Sequence, residues 1–248
     1  MKITIITAVF NNKINIQDAI DSVYKQTYND IEHIIVDGNS TDGTIDVIKK
    51  NENKIARWLS EDDNGIYDAL NKGIDLSSGD VIGFLHSDDI YASNEIIKNI
   101  VEEFNKTNSD SIYGDLQYVS KSNTDTIIRF WKSKEFQIKL LKKGWMPPHP
   151  TFFVKTKIYK EYGKFNTNFK IAADYDLMLR FLGQKKISTS YLPHVFIKMR
   201  VGGVSNNSAR NIIQKSYEDY LALKRNSIGG LHTLILKNTS KLSQFFTK

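Results

Sequence analysis

Over the first hundred positions, short apolar runs alternate with stretches in which apolar residues recur every three or four. Residues 3–10 form a run rich in β-branched side chains that stops at Asn11 and Asn12, which predicts a buried strand. Ile16, Ala19, Ile20 and Val23 then fall on one helical face. The alternation continues with an apolar run at 33–36, a helical stretch at 44–50 and a strand at 57–60. Ile66, Ala69, Leu70, Gly73 and Ile74 make another helical face, 81–85 another strand, and Ile96, Ile97, Ile100, Val101 and Phe104 a further helix. Continuous apolar strands separated by amphipathic helices predict an α/β fold, a Rossmann-like, mostly parallel central sheet with helices on both faces.

After about residue 105 the rhythm changes. Strands at 112–115, 117–119 and 126–130 predict a smaller, antiparallel region. A stiff loop from Gly144 to Pro150 leads into a strand at 151–154, and 174–182 reads as a helix with two acids in its first turn. A last strand at 195–199 precedes Gly202 and Gly203, and beyond Asn206 the chain is helical and dotted with lysine. The pattern predicts one domain over 1–205, divided near 105 into two halves, 1–105 and 106–205. A C-terminal helical tail follows over 206–248.

The 248 residues, 40% hydrophobic and 25% charged, suit a single folded domain and exclude disordered or collagen-like chains. With no Cys, disulfide scaffolds, thiolate zinc sites and Cys nucleophiles are excluded, and a cytoplasmic setting is expected. Lys and Arg exceed Asp and Glu by 34 to 28, a balance of +6 that suits either an anionic partner or simple solubility. The basic residues are dispersed and form no recognition motif, so no nucleic-acid partner is expected. No apolar run approaches the roughly 20 residues of a membrane span. The opening residues read as a first strand, because they are broken by Asn11 and Asn12 and lack the small-residue site of a cleaved leader.

In parallel α/β sheets ligands bind beyond the carboxyl ends of the strands. That rule singles out residues 9–12, 37–44, 60–65 and 86–89, all polar. His86-Ser87-Asp88-Asp89 places adjacent carboxylates at the end of a buried strand. Their repulsion is offset either by a hard divalent cation or by capping the helix that follows residues 93–95. No Gly-x-Gly-x-x-Gly follows the first strand and no phosphate-binding Gly-x-x-x-x-Gly-Lys motif occurs. A nucleotide diphosphate bound to such a sheet would therefore call for a metal.

Taken in order, Thr7-Ala8-Val9-Phe10-Asn11, Ile35-Val36-Asp37-Gly38-Asn39-Ser40-Thr41-Asp42-Gly43-Thr44, the stretch from Asp63 to Ile74, and Phe84-Leu85-His86-Ser87-Asp88-Asp89 resemble the family 2 glycosyltransferases. The resemblance implies the GT-A fold and an inverting, nucleotide-sugar-dependent enzyme. By position, Asp37 matches the acid that hydrogen-bonds the donor base, and Thr7 and Val9 match residues flanking it. Asp88 matches the acid near the ribose and Asp89 the metal-binding acid, for Mn²⁺ or Mg²⁺. Asp63, Gly65 and Asn71 border the donor pocket. His86 stands where the family usually carries Asn.

In the second half, Ala172-Ala173-Asp174-Tyr175-Asp176 resembles the motif of the catalytic base, which assigns that role to Asp174, with Asp176 as its rival. Inverting transfer needs one carboxylate to take the acceptor hydroxyl's proton, while a metal stabilises the departing diphosphate. Asp174 is equally a residue type that simply caps a helix. Pro147-Pro148-His149-Pro150 resembles the segment that enters the acceptor side, with Trp145 beside His149 offering a flat face for a sugar. Residues 200–205 resemble a late loop that closes over the diphosphate, Arg200 being suited to a phosphate. The tail, with Lys241, Lys248, Phe245 and Phe246, either packs as a helix with a frayed end or lies on an anionic membrane. The expected activity is sugar transfer, from a UDP-sugar, to a glycan or lipid-linked acceptor in bacterial surface polysaccharide assembly. The rivals are a sugar-nucleotide pyrophosphorylase, which lacks support because residues 7–12 carry no glycine-rich basic loop, and a non-catalytic nucleotide-sugar-binding protein.

Overall fold

All seven residues of the first strand are buried, and its apolar side chains feed three different clusters. A computed structural model describes residues 1–202 and 209–240. In chain order the first part runs β1 (Ile3–Val9), α1 (Ile16–Tyr24), β2 (Ile31–Asp37), α2 (Thr44–Lys50), β3 (Arg57–Ser60), α3 (Ile66–Leu76), β4 (Val81–Phe84), β5 (Ile90–Tyr91) and α4 (Ile96–Thr107). The second part runs β6 (Ser111–Val119), β7 (Ile127–Trp131), α5 (Ile138–Lys142), β8 (Phe153–Lys155), α6 (Thr156–Tyr162), α7 (Ala173–Met178), β9 (Thr189–Arg200), α8 (Ala209–Arg225) and α9 (Leu231–Ser240). A π-helical stretch, Leu179–Gln184, continues α7.

Side chains alternate across a strand, so a strand covered on both faces must be apolar throughout. Ile6 and Ala8 of β1 join Ile34 and Val36 of β2, Ala69, Leu70 and Ile74 of α3, and much of α7 in the larger core. Ile3 and Ile5 face the other way, against Ala19 and Val23 of α1 and Ile96, Ile97 and Ile100 of α4. Helices therefore cover both faces, as the pattern predicts.

The strands of the described residues form one sheet in the order β3-β2-β1-β4-β8-β6-β9-β5, with β7 also paired to β6. The first four are parallel. The antiparallel part is a continuation of that sheet and not a separate layer, because β8 pairs antiparallel with both β4 and β6 and closes an otherwise open edge. The two strands expected at 112–115 and 117–119 are a single β6, whose register against β9 shifts around Asp115. Gly114 sits at that shift, where a Cβ would lie 2.4 Å from the Phe196 ring.

The C-terminal helices are part of the body. Ala222 and Leu223 of α8 are fully buried in the larger core, and Asp219 of α8 pairs with Lys237 of α9 in a buried contact. Ile212, Ile213 and Tyr217 stay exposed on the outer side of α8. Of the late loop, Gly203, Val204 and Ser205 lie outside the described residues, as do Lys241, Phe245, Phe246 and Lys248 of the tail.

Candidate active site

The loops at the carboxyl ends of β1, β2 and β4 are stitched together by short polar side chains. The Asn11 backbone N–H donates to Ser40 Oγ (2.8 Å), and Asn11 Oδ1 accepts from the Thr41 N–H (2.9 Å). The Asn12 N–H reaches Thr44 Oγ1 (2.9 Å) and its Nδ2 reaches Ser87 Oγ (2.9 Å). Asn11 and Asn39 hold left-handed backbone, at φ 49° and 63°, a region asparagine tolerates better than most residues. Asp37 is fully buried at the end of β2. Its carboxylate accepts from the Ser40 N–H (3.0 Å), from Ser40 Oγ and from Ser60 Oγ (2.7 Å). Asp37 thus organises the turn itself. Val9 turns its side chain into the core around Ile16, Ile20 and Ile35, and offers this loop its carbonyl, which accepts from the Gly38 N–H (2.9 Å). Thr7 is buried too, its Oγ1 3.0 Å from His33 Nε2. Asp63 accepts from the Gly65 N–H (2.8 Å) and lies against Gly38, where a Cβ would stand 2.5 Å from Asp63 Oδ2.

The acid pair follows β4 in a turn closed by the Asp89 N–H donating to the His86 carbonyl (3.0 Å). Asp88 is half-buried and Asp89 fully buried. Asp89 Oδ1 accepts the Arg200 N–H (3.1 Å), while Oδ2 has no hydrogen-bond partner. Burial, reinforced by the neighbouring Asp88 charge, pushes the Asp89 carboxyl well above the usual carboxylate range despite Arg200. Arg200 locks the turn from the far end of β9: Nη1 donates to the Asp88 carbonyl (2.7 Å) and Nη2 to Asp18 of α1. An uncompensated buried carboxylate oxygen beside a second acid fits a hard cation. Among the described residues no three His, Asp or Glu side chains gather into a closed cage. The donor set suits an ion that completes its shell with phosphate oxygens and water.

The second half brings His149 beside His86 and Asp174 beside Tyr67. Asp174 opens α7 and is half-buried, with Oδ1 3.2 Å from Tyr67 Oη of α3. Tyr67 also donates to the Ile171 carbonyl (2.7 Å). His149 lies in a 3₁₀ turn, His149–Thr151, with its ring stacked on Phe84 at 5.4 Å and set edge-on to Phe165 at 5.6 Å. Its Nε2 has no partner, and burial pulls its imidazole down to about 4, against the Asp174 charge. The His86 ring stands 6.3 Å from that of His149. Burial lowers the His86 imidazole as well, against the opposing charges of Asp88 and Asp174. His86 therefore stands within electrostatic reach of an acid from each half of the chain.

Other expected residues have partners within the fold. Asn71 bridges to the Phe165 backbone, Nδ2 to the carbonyl at 2.9 Å and Oδ1 from the N–H at 3.0 Å. Trp145 is half-buried, edge-on to Tyr113 at 6.1 Å, with Lys134 Nζ 5.7 Å from its ring centre. Asp176, the rival of Asp174, is buried and bonded to Asn226 Nδ2 (2.9 Å) beside Arg180. Sequence reasoning missed the contact of Tyr67 with Asp174, together with the Asn11–Ser40 and Asn12–Ser87 stitches. It also missed Glu218, whose carboxylate takes three backbone N–H groups just ahead of Asp174. An acid among lysines on an amphipathic helix carries no local signal of that role.

Residues 4–163 match the family model described as Glycosyl transferase family 2. An uncharacterized glycosyltransferase of Mycobacterium tuberculosis is 32% identical over 183 residues, covering 72% of this chain and 68% of that protein. Among solved structures, residues 1–349 of S. aureus TarS in complex with UDP-GlcNAc superpose with a TM-score of 0.73 at 18% identity, over 92% of this chain and 66% of that one. Against the longer TarS structure, this chain spans 40% of the length. A mannosyltransferase from Pyrobaculum calidifontis, in complex with GDP-Man and Mn²⁺, superposes with a TM-score of 0.68 at 15% identity, over 99% of this chain and 73% of that one. The architecture is the GT-A fold.

Proposed function

The chain belongs to glycosyl transferase family 2, and on that premise we propose that it moves one sugar, with inversion, from a UDP-sugar to a hydroxyl of a glycan or lipid-linked acceptor. The observation that carries this reading is the approach of the two halves at His86, whose ring stands 6.3 Å from that of His149 and feels the charges of both Asp88 and Asp174. The donor lies across the carboxyl ends of β1, β2 and β4. There the turn organised by Asp37, the Val9 carbonyl, Asp63 and Gly65 form the edge for base and ribose. Thr7 and Asn71 support that edge from the core and from the Phe165 segment. Asp89, with Asp88 beside it, holds Mn²⁺ or Mg²⁺, which supplies positive charge to the diphosphate leaving group when bound. Arg200 keeps those acids in place and adds a permanent cation next to them.

Asp174 takes the acceptor proton. The acceptor oxygen's lone pair forms the new bond to the anomeric carbon, and the old bond's electrons leave with the diphosphate oxygen. The hydroxyl proton passes to the Asp174 carboxylate. The Tyr67 hydroxyl steadies Asp174 Oδ1 (3.2 Å). His149 and Trp145 border the acceptor side. The setting proposed is the cytoplasmic face of a membrane in surface polysaccharide assembly, with the exposed Ile212, Ile213 and Tyr217 face of α8 as the peripheral contact. No helix of the described residues is long and apolar enough to cross a membrane.

A thermal-shift screen of UDP, GDP and their sugars, with and without Mn²⁺, tests the reading. A nucleotide at one hundred times its dissociation constant stabilises by about 2.7 kcal/mol. UDP compounds are expected to raise the midpoint in a Mn²⁺-dependent way. Selective stabilisation by GDP compounds would replace the donor assignment, and no stabilisation by any nucleotide diphosphate would overturn the reading.

A further inference from the structure

The segment that delivers Asp174 has no helix or sheet to hold it. Residues 163–172 are irregular, and α7 starts only at Ala173. Three successive backbone N–H groups in that segment nevertheless have one common acceptor. Glu218 Oε1 accepts from the Lys170 N–H (3.0 Å), and Oε2 from the N–H groups of Ile171 (2.8 Å) and Ala172 (2.9 Å). Gln214, one turn earlier on α8, donates its Nε2 to Oε1 (2.8 Å), so four donors converge on one buried carboxylate. Burial alone would raise this carboxyl, but the hydrogen bonds outweigh it and hold Glu218 below the usual range. The peptide joining Ile171 to Ala172 is gripped from both sides, its N–H by Glu218 and its carbonyl by Tyr67, whose hydroxyl also touches Asp174.

We infer that Glu218 is the positioning residue for Asp174, a carboxylate on the C-terminal helix that clamps the backbone from which the base projects. The inference rests on the reading of Asp174 as the base. Three N–H groups converging on one point form an anion cradle of the kind that binds phosphate or carboxylate ligands. Here α8 fills it with its own side chain. A helix needing only to dock has apolar contacts for the purpose, and α8 already buries Ala222 and Leu223. The carboxylate adds direction. Charge-assisted bonds to three consecutive amides fix the rotation of each peptide and hence where Asp174 points.

Two measurements on the full chain test this. Hydrogen exchange reads the cradle directly: the amides of Lys170, Ile171 and Ala172, although outside any helix, are expected to exchange slowly. Glu218→Gln, which offers one acceptor oxygen and an opposing NH₂, is expected to speed them at least tenfold. Turnover is then followed on UDP-N-acetylglucosamine or GDP-mannose, whichever the thermal screen selects. Glu218→Gln is expected to lower kcat at least tenfold with donor KM within twofold, and Glu218→Asp to recover part of it. Leu223→Ala, which destabilises the same helix without touching the cradle, is expected to lower Tm as much or more and leave kcat unchanged well below the midpoint. Unprotected amides in the wild type, or equal kcat losses in Glu218→Gln and Leu223→Ala, would overturn the inference. Full turnover in Asp174→Asn would instead remove the base assignment, while the exchange result would still report whether the cradle exists. Should Glu218→Gln not fold, Glu218→Asp carries both measurements.

Discussion

Tyr67 Oη lies 3.2 Å from Asp174 Oδ1, although 107 residues separate them in the chain. The contact ties α3, at the edge of the donor half, to the first turn of α7. It makes the position of Asp174, the proposed base, depend on both halves at once.

Asp174→Asn is expected to fold normally, bind nucleotide as the wild type does and lose at least a hundredfold in kcat, since an amide accepts no proton at neutral pH. Tyr67→Phe keeps the ring packing against Phe165, 5.5 Å away, and removes only the hydroxyl. Its expected loss is roughly tenfold in kcat with donor KM unchanged, the signature of an interaction that orients the base. Initial-rate kinetics on both variants check this, and near-normal turnover in Asp174→Asn would reject its role.

Asp89→Asn is expected to move stability in opposite directions with and without ligand. With no cation present, Asp89 Oδ2 is a buried carboxylate oxygen without a hydrogen-bond partner. Neutralising it relieves on the order of 1 kcal/mol, or about 2–4 °C in Tm for a chain of this size. With UDP and Mn²⁺ together, the variant is expected to lose the Mn²⁺-dependent part of the wild-type shift. Calorimetry of both proteins under both conditions gives the comparison, and an unchanged Mn²⁺ response would remove Asp89 from the metal site.

Acid is expected to weaken the fold from about pH 6.5 downward. Burial holds His33 at about 3 and His149 at about 4, against about 6.5 in an unfolded chain. Between these values the unfolded chain binds protons that the native protein does not. Stability therefore rises with pH through that window, is complete above about 6.5, and is lost as pH falls towards 4 and then 3. Urea unfolding at pH 7, 6 and 5 checks the slope, and a flat profile would mean that neither imidazole is buried in solution.

Gly83→Ala is expected to destabilise without touching the site. A Cβ there would lie 2.2 Å from Cε1 of the fully buried Phe153 ring, where β8 pairs with β4. Overpacking of this kind costs about 1–3 kcal/mol. A thermal scan reads the cost directly, and a Tm within one degree of wild type would show that β8 gives way.

Glu32 shows what the opposite end of the sheet is for. Its carboxylate accepts from Thr4 Oγ1, the Ser78 N–H, Ser78 Oγ and Lys2 Nζ at the amino ends of the strands. Burial opposes its ionised form, but these bonds prevail and bring it down to about 2. The same α/β framework thus spends its carboxylates on structure at one end. At the other it leaves Asp89 Oδ2 buried without a partner and Asp88 and Asp174 partly exposed.

Period and local chemistry alone made β1, α1, β2, α2, β3, α3 and β4 readable, because a strand or helix buried by its neighbours must carry the apolar pattern of its own geometry. They also placed the acids at the carboxyl ends of strands, where a parallel sheet opens to ligands. Short elements such as β5 and α5 left no such trace, since two or five residues hold less than one clear period. Tertiary structure alone decided the surroundings of each acid. Asp174 and Asp176 are two residues apart and chemically alike, yet one is half-exposed against Tyr67 and the other is buried against Asn226 and Arg180. Whether Glu218 is a surface charge or the acceptor for the Lys170, Ile171 and Ala172 N–H groups depended on where α8 docks. Hydrogen bonds between residues some fifty to a hundred positions apart leave no periodic mark on a sequence, because each partner satisfies the geometry of its own element first.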